Sequence, residues 1–450
     1  MITSISLQQL QSVVGGTLHG NANFSSVSTD TRSLRAGDLF VALQGPNFDG
    51  NLFVAQARSQ GACAALVSAE VTAELPTLKV ADTRVALGQL GAWNRAQSKA
   101  KVVALTGSQG KTTVKEMTAA ILACRGKVLF TQGNLNNDIG APLTLLQINA
   151  EHDFAVIELG ANHKGEISYT TKLTRPDIAL INNVAATHVE GFGSLQGVAE
   201  GKAELWQGLD AHGTAVVNLD DANVVARAPA GVRQVGISAT GSAAASYRVS
   251  SVHTDGLAGS RFTLHTPVGN QDVEINVPGL HNVANALAAT ALAMEAGASL
   301  QDVVHGLGVA HAAKGRLNVR KGRNGAVIID DSYNASPSSF GAAIDVLANL
   351  SGIRVVVAGD MAELGADQDL AHRALGEYAA SKGIEHFFGT GVLTAHAVTA
   401  FGSKGVHMTD RELLTLRLLE LLAPNVSVLV KGSRSAGMER VVKQLTESED

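Results

Sequence analysis

Residues 101–117, which read KVVALTGSQGKTTVKEM, constrain the fold of this chain more than any other stretch. The stretch begins with an apolar run, residues 102–105, that has the length and the β-branched content of a buried strand. A glycine-containing segment, residues 107–113, follows this run and leads into residues with helical spacing. A strand that passes through a glycine turn directly into a helix predicts an α/β unit built on a parallel sheet.

The glycine-containing segment also has the residue types that bind the phosphates of a nucleotide. Glycines let backbone N–H groups turn toward an anion, the helix N-terminus adds its dipole, and Lys111 adds a positive charge. The hydroxyl of Thr112 can bind the Mg²⁺ that accompanies a nucleotide. Leu105 stands where the full P-loop pattern has a glycine, so an ordinary strand–turn–helix corner is the alternative. We predict a nucleotide site formed by Gly107, Ser108, Gln109, Gly110, Lys111, Thr112 and Thr113.

Composition limits the class of protein to which the chain belongs. With 450 residues, 45% of them hydrophobic and 17% charged, it is expected to be globular and to form two to four domains. Its net charge of −5 gives no bulk attraction to nucleic acid or to an anionic membrane. Cys63 and Cys124 are the only cysteines, which excludes a disulfide framework. With no signal-peptide pattern and no apolar run of membrane-spanning length, we expect a cytoplasmic protein that does not insert into a membrane.

Apolar runs that alternate with helix-like segments predict three α/β domains. Residues 1–82 are expected to form a small N-terminal domain, and residues 83–312 a central P-loop domain with a parallel sheet. Within the central domain, residues 246–277 alternate between polar and apolar types, which predicts an antiparallel addition. Residues 313–450 repeat the strand–helix alternation and are expected to form a doubly wound, Rossmann-like domain.

Polar residues directly after the apolar runs of the central domain are candidate metal ligands. Glu158 follows the run at 155–157, and His188 comes shortly after the run at 178–181. A solvated strand end explains Glu158 and a core or surface imidazole explains His188, but both are expected at the same sheet edge as Thr112. That shared position favours Mg²⁺, which prefers oxygen ligands.

Polar residues at two further places have either a capping or a ligand-binding role. Asn282 and Asn285 lie about one helical turn apart at a predicted helix start, where they could cap the helix or hold a base edge. Asp331 and Asp360 each follow an apolar run, where an aspartate could cap the next helix. Repeated acidic strand ends in one sheet favour a binding face. The loop at 45–50 is explained by turn residues alone.

Several of these stretches together resemble the Mur ligases, the ATP-dependent amide-bond ligases that build the peptidoglycan stem peptide. The resemblance runs over the whole length of the chain and includes the Gly-Asn-Leu-Asn-Asn and Asp-Ser-Tyr-Asn runs. The matching stretches are 28–32, 37–40, 107–116, 131–142, 182–194, 281–285, 330–337, 359–365 and 431–434.

The resemblance implies an activity and its partners. We expect ATP-dependent addition of D-alanyl-D-alanine to UDP-N-acetylmuramoyl-tripeptide through an acyl phosphate, in cytoplasmic peptidoglycan precursor synthesis. The implied cofactors are ATP and two Mg²⁺ ions. A monomer that binds no nucleic acid is expected.

The resemblance also implies roles in catalysis and in ATP binding. Lys111 would contact the terminal phosphates, while Thr112 and Glu158 would bind one Mg²⁺. His188 and Lys202 would bind the second Mg²⁺, with Lys202 as a carbamate formed with CO₂, although its sequence context alone is that of an exposed helical lysine. The remaining contacts to ATP would come from Asn282 and Asn285 (adenine), Asp331 (ribose) and Arg316 (phosphates).

The substrate contacts are assigned by the same resemblance. The N-terminal domain would hold the UDP-sugar through Ser28, Thr31, Arg32, Gly45 and Asp49, and the acceptor cleft would contain Asn134, Asn137 and Asp138. The C-terminal domain would bring in the dipeptide with Tyr333, Asn334 and Asp360, beside residues 431–433.

Two positions depart from the pattern of the family, and alternatives remain open. Asn51 and Leu52 stand where the family often has His-Asp, and Ser336 stands where Asn-Ala-Asn-Pro has its second asparagine. The nearest alternative is another Mur-type or folylpolyglutamate-type ligase with a different amine acceptor. A P-loop switch or motor and a nonenzymatic sugar-nucleotide sensor are the alternatives from other classes.

Overall fold

The structure is a computed structural model that describes residues 1–72 and 74–447. Three sheets of five, nine and six strands follow one another along the chain, and helices pack against them. The predicted α/β class and three-unit architecture are therefore confirmed, whereas the boundaries after residues 82 and 312 stay predictions. No helix of the described residues is long and apolar enough to cross a membrane.

The N-terminal unit is built on a small, mostly parallel sheet. Its elements are β1 (Ile5–Ser6), α1 (Leu7–Val14), β2 (Thr17–His19), β3 (Asn23–Phe24), β4 (Val27–Ser28), β5 (Leu39–Val41), β6 (Gln44–Gly45), β7 (Phe48–Asp49), α2 (Val54–Ser59), β8 (Ala64–Val67) and β9 (Thr77–Lys79). The main sheet has the order β2–β9–β8–β5–β4. Ser6 and Gln9 form a capping box that starts α1, whose Leu7 and Leu10 are fully buried in the core.

The central unit contains a nine-stranded sheet. Helix α3 (Thr83–Gln97) leads into it, and its elements are β10 (Lys101–Thr106), α4 (Lys111–Leu122), β11 (Val128–Phe130), α5 (Gly140–Leu146), β12 (Phe154–Glu158), α6 (Glu166–Thr174), β13 (Ile178–Ile181), α7 (Val189–Phe192), α8 (Leu195–Ala203), β14 (Thr214–Asn218), α9 (Ala222–Val225), β15 (Arg233–Ser238), β16 (Tyr247–Thr254), β17 (Ser260–Thr266), β18 (Gly269–Ile275), α10 (Leu280–Glu295) and α11 (Leu300–Val309). The strand order is β11–β12–β10–β13–β14–β15–β16–β17–β18. The antiparallel addition predicted at 246–277 is confirmed, because β16, β17 and β18 pair antiparallel at one end of this sheet.

Strand β10 is buried on both faces, as its unbroken apolar run predicts. Val103 and Leu105 point into the cluster formed with α4 and α10, while Val102 and Ala104 point into the cluster formed with α5 and α6. All four side chains are fully buried. The loop that follows β10 is therefore anchored from both sides of the sheet.

The C-terminal unit is a second doubly wound sheet. Its elements are β19 (Asn318–Lys321), β20 (Val327–Asp331), α12 (Pro337–Ala348), β21 (Ile353–Gly359), α13 (Gln368–Ser381), β22 (His386–Thr390), α14 (Thr394–Phe401), β23 (Gly405–His407), α15 (Arg411–Leu419), β24 (Val426–Lys431) and α16 (Glu439–Leu445). The order is β19–β20–β24–β21–β22–β23, and every pairing except that of β19 with β20 is parallel.

The register of both sheets brings the predicted functional residues to common edges. In the central sheet, Leu105 of β10 lies opposite Glu158 of β12, and Thr106 lies opposite Ile181 of β13. In the C-terminal sheet, Asp331 of β20 lies opposite Lys431 of β24. The loops that leave these strands consequently converge at the carboxyl ends of the two sheets.

Candidate active site

A cleft of about 640 Å³ lies between the central and C-terminal units. The loops after β10, β13 and β14 and the start of α10 line its central side. The loops after β20, β21 and β24 line its C-terminal side. Ligand sites of open α/β sheets lie at the carboxyl ends of the strands, so this cleft is the candidate active site.

The predicted phosphate loop forms part of the central wall of the cleft. Gly110 has a φ angle of 74° and directly precedes α4. A Cβ atom at Gly110 would lie 2.3 Å from Oδ1 of Asn285, so both the backbone angle and the close contact require glycine. No side chain caps α4, which leaves the N–H groups of its first turn available to an anion.

Lys111 is folded back onto the phosphate loop. Its Nζ atom donates to the carbonyl oxygens of Gly107 at 2.8 Å and Ser108 at 3.4 Å. Burial lowers the pKa of Lys111, and the nearby negative charge of Glu158 partly counteracts this effect. The ammonium group of Lys111 therefore lies beside the N-terminus of α4. Its partners among the described residues are neutral carbonyls, which anionic phosphate oxygens could replace.

Glu158 is a buried carboxylate at the end of β12. Oε1 accepts a hydrogen bond from Nδ2 of Asn136 at 2.8 Å, and the backbone N–H donates to Oγ1 of Thr131 at 3.0 Å. Oε2 is buried and has no hydrogen-bond partner among the described residues. Thr112 and Thr113 lie in the first turn of α4. A buried carboxylate oxygen without a donor, on the strand that pairs with β10 and close enough to Lys111 to affect its pKa, fits Mg²⁺.

His188 connects the two walls of the cleft. Its backbone has a φ of 54°, and its Nδ1 atom forms an ion pair with Oε2 of Glu363, which follows β21 in the C-terminal unit. Glu363 also has a left-handed backbone, with a φ of 63°. The imidazole predicted to bind a metal therefore contacts a carboxylate of the opposite wall.

Lys202 is deeply buried, which differs from the exposed helical lysine that its sequence context suggests. Its relative exposure is 2%, and no hydrogen bond or ion pair of this side chain is formed within residues 1–72 and 74–447. Burial, and next the positive charge of Lys111, keep the pKa of Lys202 well below its usual range. A buried amine in this state is available for covalent modification, since only the neutral form is nucleophilic.

Protein side chains alone do not complete a metal site. Among the residues that the structure describes, no group of three or more His, Cys, Asp and Glu side chains could hold a metal ion. Any Mg²⁺ here would need ligands of another kind, such as Thr112, phosphate oxygens or a modified lysine.

The side chains of the two asparagines at the start of α10 form hydrogen bonds within the protein. Nδ2 of Asn282 donates to the carbonyl of Pro278 at 2.7 Å, and Nδ2 of Asn285 donates to Oδ1 of Asn282 at 2.9 Å. Asn285 accepts from Nδ2 of Asn182 at 3.1 Å and lies against Gly110. This arrangement supports the phosphate loop, and the predicted contact of both amides with adenine stays a prediction.

The C-terminal wall contributes positive charge. The guanidinium carbon of Arg316 lies 4.4 Å from the ring centre of Tyr333, and its buried Nε atom has no partner within the described residues. Lys431 pairs with Asp331 at 2.5 Å and donates to the carbonyl of Asn334 at 2.9 Å. Arg316 therefore lines the cleft and has one donor without a described partner. The carboxylate of Asp331 is already paired with Lys431.

Most N-terminal candidates contact residues close to them in the chain, and their predicted sugar contacts stay predictions. Arg32 is exposed and pairs with Asp30. Gly45 packs against the ring of Phe48, because a Cβ atom there would lie 2.4 Å from the ring. Asp49 accepts from the backbone and side-chain N–H groups of Asn51, which is the capping role that the residue types alone favour.

A second, smaller cavity of about 300 Å³ adjoins the N-terminal unit. Ser28 lines it together with residues 25–29 and with residues of the central unit between 135 and 147. Thr31 and Arg32 do not line this cavity. Of the predicted sugar-binding residues, Ser28 lines this cavity.

Three predicted acceptor residues lie in the segment between β11 and α5. Asn134 is exposed. Oδ1 of Asn137 accepts the N–H of Gly140 at 2.8 Å, which caps α5, and Asp138 pairs with Arg84 at 3.0 Å. Asn137 therefore caps α5 and Asp138 forms an ion pair, and the acceptor contacts of all three residues stay predictions.

The carboxylate of Asp360 accepts the backbone N–H groups of Val392, Leu393 and Thr394 at 2.9–3.0 Å, at the start of α14. The capping role that its position after a strand allows is therefore observed, and its predicted contact with the substrate stays a prediction.

Sequence reasoning missed three residues of the site. Asn136 orients Glu158, Glu363 pairs with His188, and Asn183 accepts the N–H of Gln109 at 2.9 Å through its Oδ1. Asn136 lies between Asn134 and Asn137, the two predicted acceptor contacts. Spacing in the sequence gives no reason to choose Asn136 over them as a site residue. The contact of Glu363 depends on how the two units approach each other.

Three family models match the chain in order. They are described as Mur ligase family, catalytic domain, at residues 23–95, Mur ligase middle domain at 105–293, and Mur ligase, glutamate ligase domain, at 315–434. A curated relative from Escherichia coli (strain K12), named UDP-N-acetylmuramoyl-tripeptide–D-alanyl-D-alanine ligase, is 48% identical over 449 residues and covers 99% of both chains.

Two solved structures share the arrangement of the whole chain. MurF from Acinetobacter baumannii is 38% identical with a TM-score of 0.93, and the match covers 99% of this chain and 100% of that one. MurF ligase from Thermotoga maritima in complex with ADP is 26% identical with a TM-score of 0.82, and the match covers 93% and 96%. The similarity therefore includes the order of the three units as well as their individual folds.

Proposed function

The chain belongs to the Mur ligase family, and from this premise we propose that it joins D-alanyl-D-alanine to UDP-N-acetylmuramoyl-tripeptide with hydrolysis of ATP. The observation that carries the proposal is the 48% identity, over 99% of both chains, to a relative named for this reaction. The cleft supports it, since a phosphate loop on one wall faces cationic residues on the other.

The reaction needs two chemical steps. A carboxylate is a poor electrophile, so the terminal carboxylate of the tripeptide first takes the γ-phosphoryl group of ATP to form an acyl phosphate and ADP. The amine of D-alanyl-D-alanine then attacks the acyl carbon and loses a proton, and phosphate leaves from the tetrahedral intermediate. Both steps require neutralisation of the phosphoryl oxygens and correct alignment of the reactants.

The residues of the cleft have the charges that these steps require. We assign the terminal phosphates to Lys111 and to the N–H groups at the start of α4. Lys111 now bonds only to neutral carbonyls among the described residues, and no described side chain caps the helix. Arg316 approaches the same phosphates from the C-terminal wall with its unsatisfied Nε atom. Cations on both walls can contact the phosphates together when the cleft closes. Closure would also exclude water from the acyl phosphate.

We assign a magnesium ion to Glu158 and Thr112. The support is the buried Oε2 atom of Glu158, which has no donor among the described residues. Bound magnesium would neutralise charge on the phosphates. Asn136 holds the other carboxylate oxygen and so fixes the direction of the free one.

A second ion is assigned to His188 and Lys202, with Lys202 as a carbamate. An ammonium group repels a cation, whereas a carbamate is an anion with two oxygen donors. Lys202 supports this assignment through its burial and through its lack of a partner within residues 1–72 and 74–447. His188 would exchange Glu363 for the ion.

We place the reaction in cytoplasmic precursor synthesis and expect a monomer, since all the assigned residues come from one chain. The test is release of phosphate from ATP by the full chain, measured with each substrate alone and with both together. We expect release to require UDP-N-acetylmuramoyl-tripeptide and D-alanyl-D-alanine together. Release that does not depend on the dipeptide would contradict the proposal and favour a nucleotide switch or motor.

A further inference from the structure

Gln109 occupies the tip of the phosphate loop, and its backbone is fixed by the central unit. Its N–H donates to Oδ1 of Asn183 at 2.9 Å. Its carbonyl accepts from Nδ2 of Asn182 at 3.0 Å and from Nδ2 of Asn183 at 3.2 Å. Because these bonds use only backbone atoms of Gln109, the shape of the loop does not depend on its side chain.

The side chain of Gln109 crosses the cleft instead. Its Nε2 atom donates to Oγ of Ser336 at 3.1 Å and also to Oγ of Ser338. An amide nitrogen has two N–H groups, so one is available for each serine. Both serines lie at the N-terminal end of α12 in the C-terminal unit, one at its N-cap and one in its first turn.

Ser336 is the position where the chain departs from the Asn-Ala-Asn-Pro pattern. Its hydroxyl caps α12, where it accepts the N–H of Ser339 at 3.4 Å, and it also accepts from Gln109. Ser338 is exposed, and its hydroxyl makes no other hydrogen bond with residues 1–72 and 74–447. The departure thus coincides with a contact between the two walls.

We propose that Gln109 is a positioning residue, which aligns the C-terminal unit with the phosphate loop through its bridge to Ser336 and Ser338. The proposal rests on the proposed function, because alignment matters only if one wall holds the phosphoryl group and the other brings the acceptor amine. The bridge links the loop that contacts the nucleotide to the helix that follows Tyr333 and Asn334. A change in the loop is therefore transmitted to the acceptor side of the cleft.

The alternative is a passive contact that forms whenever the units lie close together. A passive contact predicts that each side chain can be removed independently, with small and additive effects. A positioning bridge predicts non-additive effects on the step that uses the dipeptide, since misplacement of reacting groups by about 1 Å can cost up to ~100-fold in rate. The bridge itself consists of neutral hydrogen bonds, for which we expect coupling of about threefold to tenfold.

The test is a double-mutant cycle with Gln109→Ala, Ser338→Ala and both changes together, in the full chain. Ser338 is used because Ser336 also caps α12. In Ser338→Ala we expect kcat/KM for D-alanyl-D-alanine to fall about threefold to tenfold, and the Kd for ADP to stay within about twofold. The double variant should be no worse than Gln109→Ala. Additive losses, or a loss confined to ADP binding, would overturn the proposal.

Two controls separate positioning from a general loss of structure. Ser338→Thr keeps the hydroxyl and should restore kcat/KM. Ser381→Ala removes a serine of α13 whose hydroxyl, among the described residues, bonds only to the carbonyl of Tyr378, and it should have no effect. The melting temperature should be equal in all these variants, because Ser338 is exposed. A fall in Ser338→Thr equal to that in Ser338→Ala would contradict the role of the hydroxyl.

Hydrogen exchange gives a readout that needs no dipeptide. On addition of ADP and Mg²⁺, amides of residues 107–111 and 338–341 should become protected together in the parent protein. Ser338→Ala should lose at least about threefold of the protection at 338–341 and keep that at 107–111. Equal protection in both proteins would overturn the bridge. Failure of the parent to use the dipeptide would contradict the proposed function. The exchange result would still show whether Gln109 and Ser338 connect the two units.

Discussion

Lys111 and Lys202 show how the surroundings of a lysine can differ between two positions close to each other. Both are buried, and burial lowers the pKa of both. Lys111 has carbonyl partners on its own loop and lies beside a helix N-terminus, where an anion would complete its interactions. Lys202 has no partner within the described part of the chain, and the charge of Lys111 further disfavours its ammonium form. Their surroundings therefore distinguish a phosphate ligand from a candidate for modification.

Replacement of Lys111 by alanine should separate catalysis from sugar-nucleotide binding. We expect Lys111→Ala to lower turnover by roughly 100- to 1000-fold, because it removes a charge that neutralises the transferred phosphoryl group. Binding of UDP-N-acetylmuramoyl-tripeptide, measured by calorimetry, should change little, since the predicted sugar contacts lie in the N-terminal unit. Equal loss of both would contradict this assignment. Lys127→Ala, which changes an exposed lysine paired with Glu151, is the control.

Replacement of Lys202 should be open to chemical rescue. We expect Lys202→Ala to lose most activity and to regain part of it with formate or acetate, which can supply the carboxylate oxygens of the missing carbamate. Activity is measured against acid concentration, with Lys111→Ala as a variant that the acids should not restore. Complete indifference of Lys202→Ala to the acids would contradict the carbamate.

At the scale of elements, the strand–loop–helix units could be predicted from the sequence and the contacts between units could not. The run at 102–105 is apolar without interruption, which indicates burial on both faces, and β10 is buried in this way. Asp360 shows the limit of such reasoning. An aspartate after a strand fits a ligand site and a helix cap equally well. The structure shows three backbone N–H groups bonded to its carboxylate, a contact that the sequence could not distinguish from a ligand role.

The residues that complete the site depend on distances that a sequence does not contain. Asn136 is one of several asparagines in one run, and only the approach of that run to β12 selects it as the partner of Glu158. Lys202 has helical neighbours typical of an exposed position, yet α8 turns it inward to 2% exposure. Local pattern predicts which elements form, whereas tertiary packing determines which side chains meet.

An ion pair that joins β21 to β22 should make stability depend on acidic pH. Arg354 holds the carboxylate of Glu385 with Nε at 3.0 Å and Nη2 at 2.6 Å, and its backbone N–H donates at 2.8 Å. Hydrogen bonds from Arg354 lower the pKa of Glu385 to about 2 from an ordinary value of 4.5. Because the folded pKa is depressed, this stabilisation is complete above about pH 4.5 and is lost as the pH falls toward 2.

Glu385→Gln tests this dependence. At pH 7 we expect the variant to be less stable by about 1–2 kcal/mol, a value reduced for solvent screening because the carboxylate is partly exposed. The difference should shrink as the pH falls from 5 to 3, as measured by urea unfolding. Glu420→Gln removes a more exposed partner of Arg417 and is the control. A difference that does not change with pH would contradict an ionic origin.

At the scale of the whole molecule, function depends on how two sheets present their carboxyl ends to each other. In the proposed assignment, the central unit carries the phosphate loop, Glu158 and Lys202, and the C-terminal unit carries Arg316 and the residues predicted to bind the dipeptide. The proposed reaction would therefore use both units together. The ion pair between His188 and Glu363 is one contact that joins them.

Removal of this ion pair should open the ligand-free cleft. We expect Glu363→Gln to expose the loops at 185–190 and 361–365, because His188 loses its charged partner on the opposite wall. An exposed or half-exposed pair contributes up to about 1 kcal/mol, so hydrogen exchange in these loops should rise by up to about fivefold. Saturation with ADP and Mg²⁺ should reduce the difference, since bound ligand holds both walls. Glu377→Gln, an exposed change on α13, should leave the exchange unchanged. Equal exchange in the parent and Glu363→Gln would mean that the pair does not hold the units together.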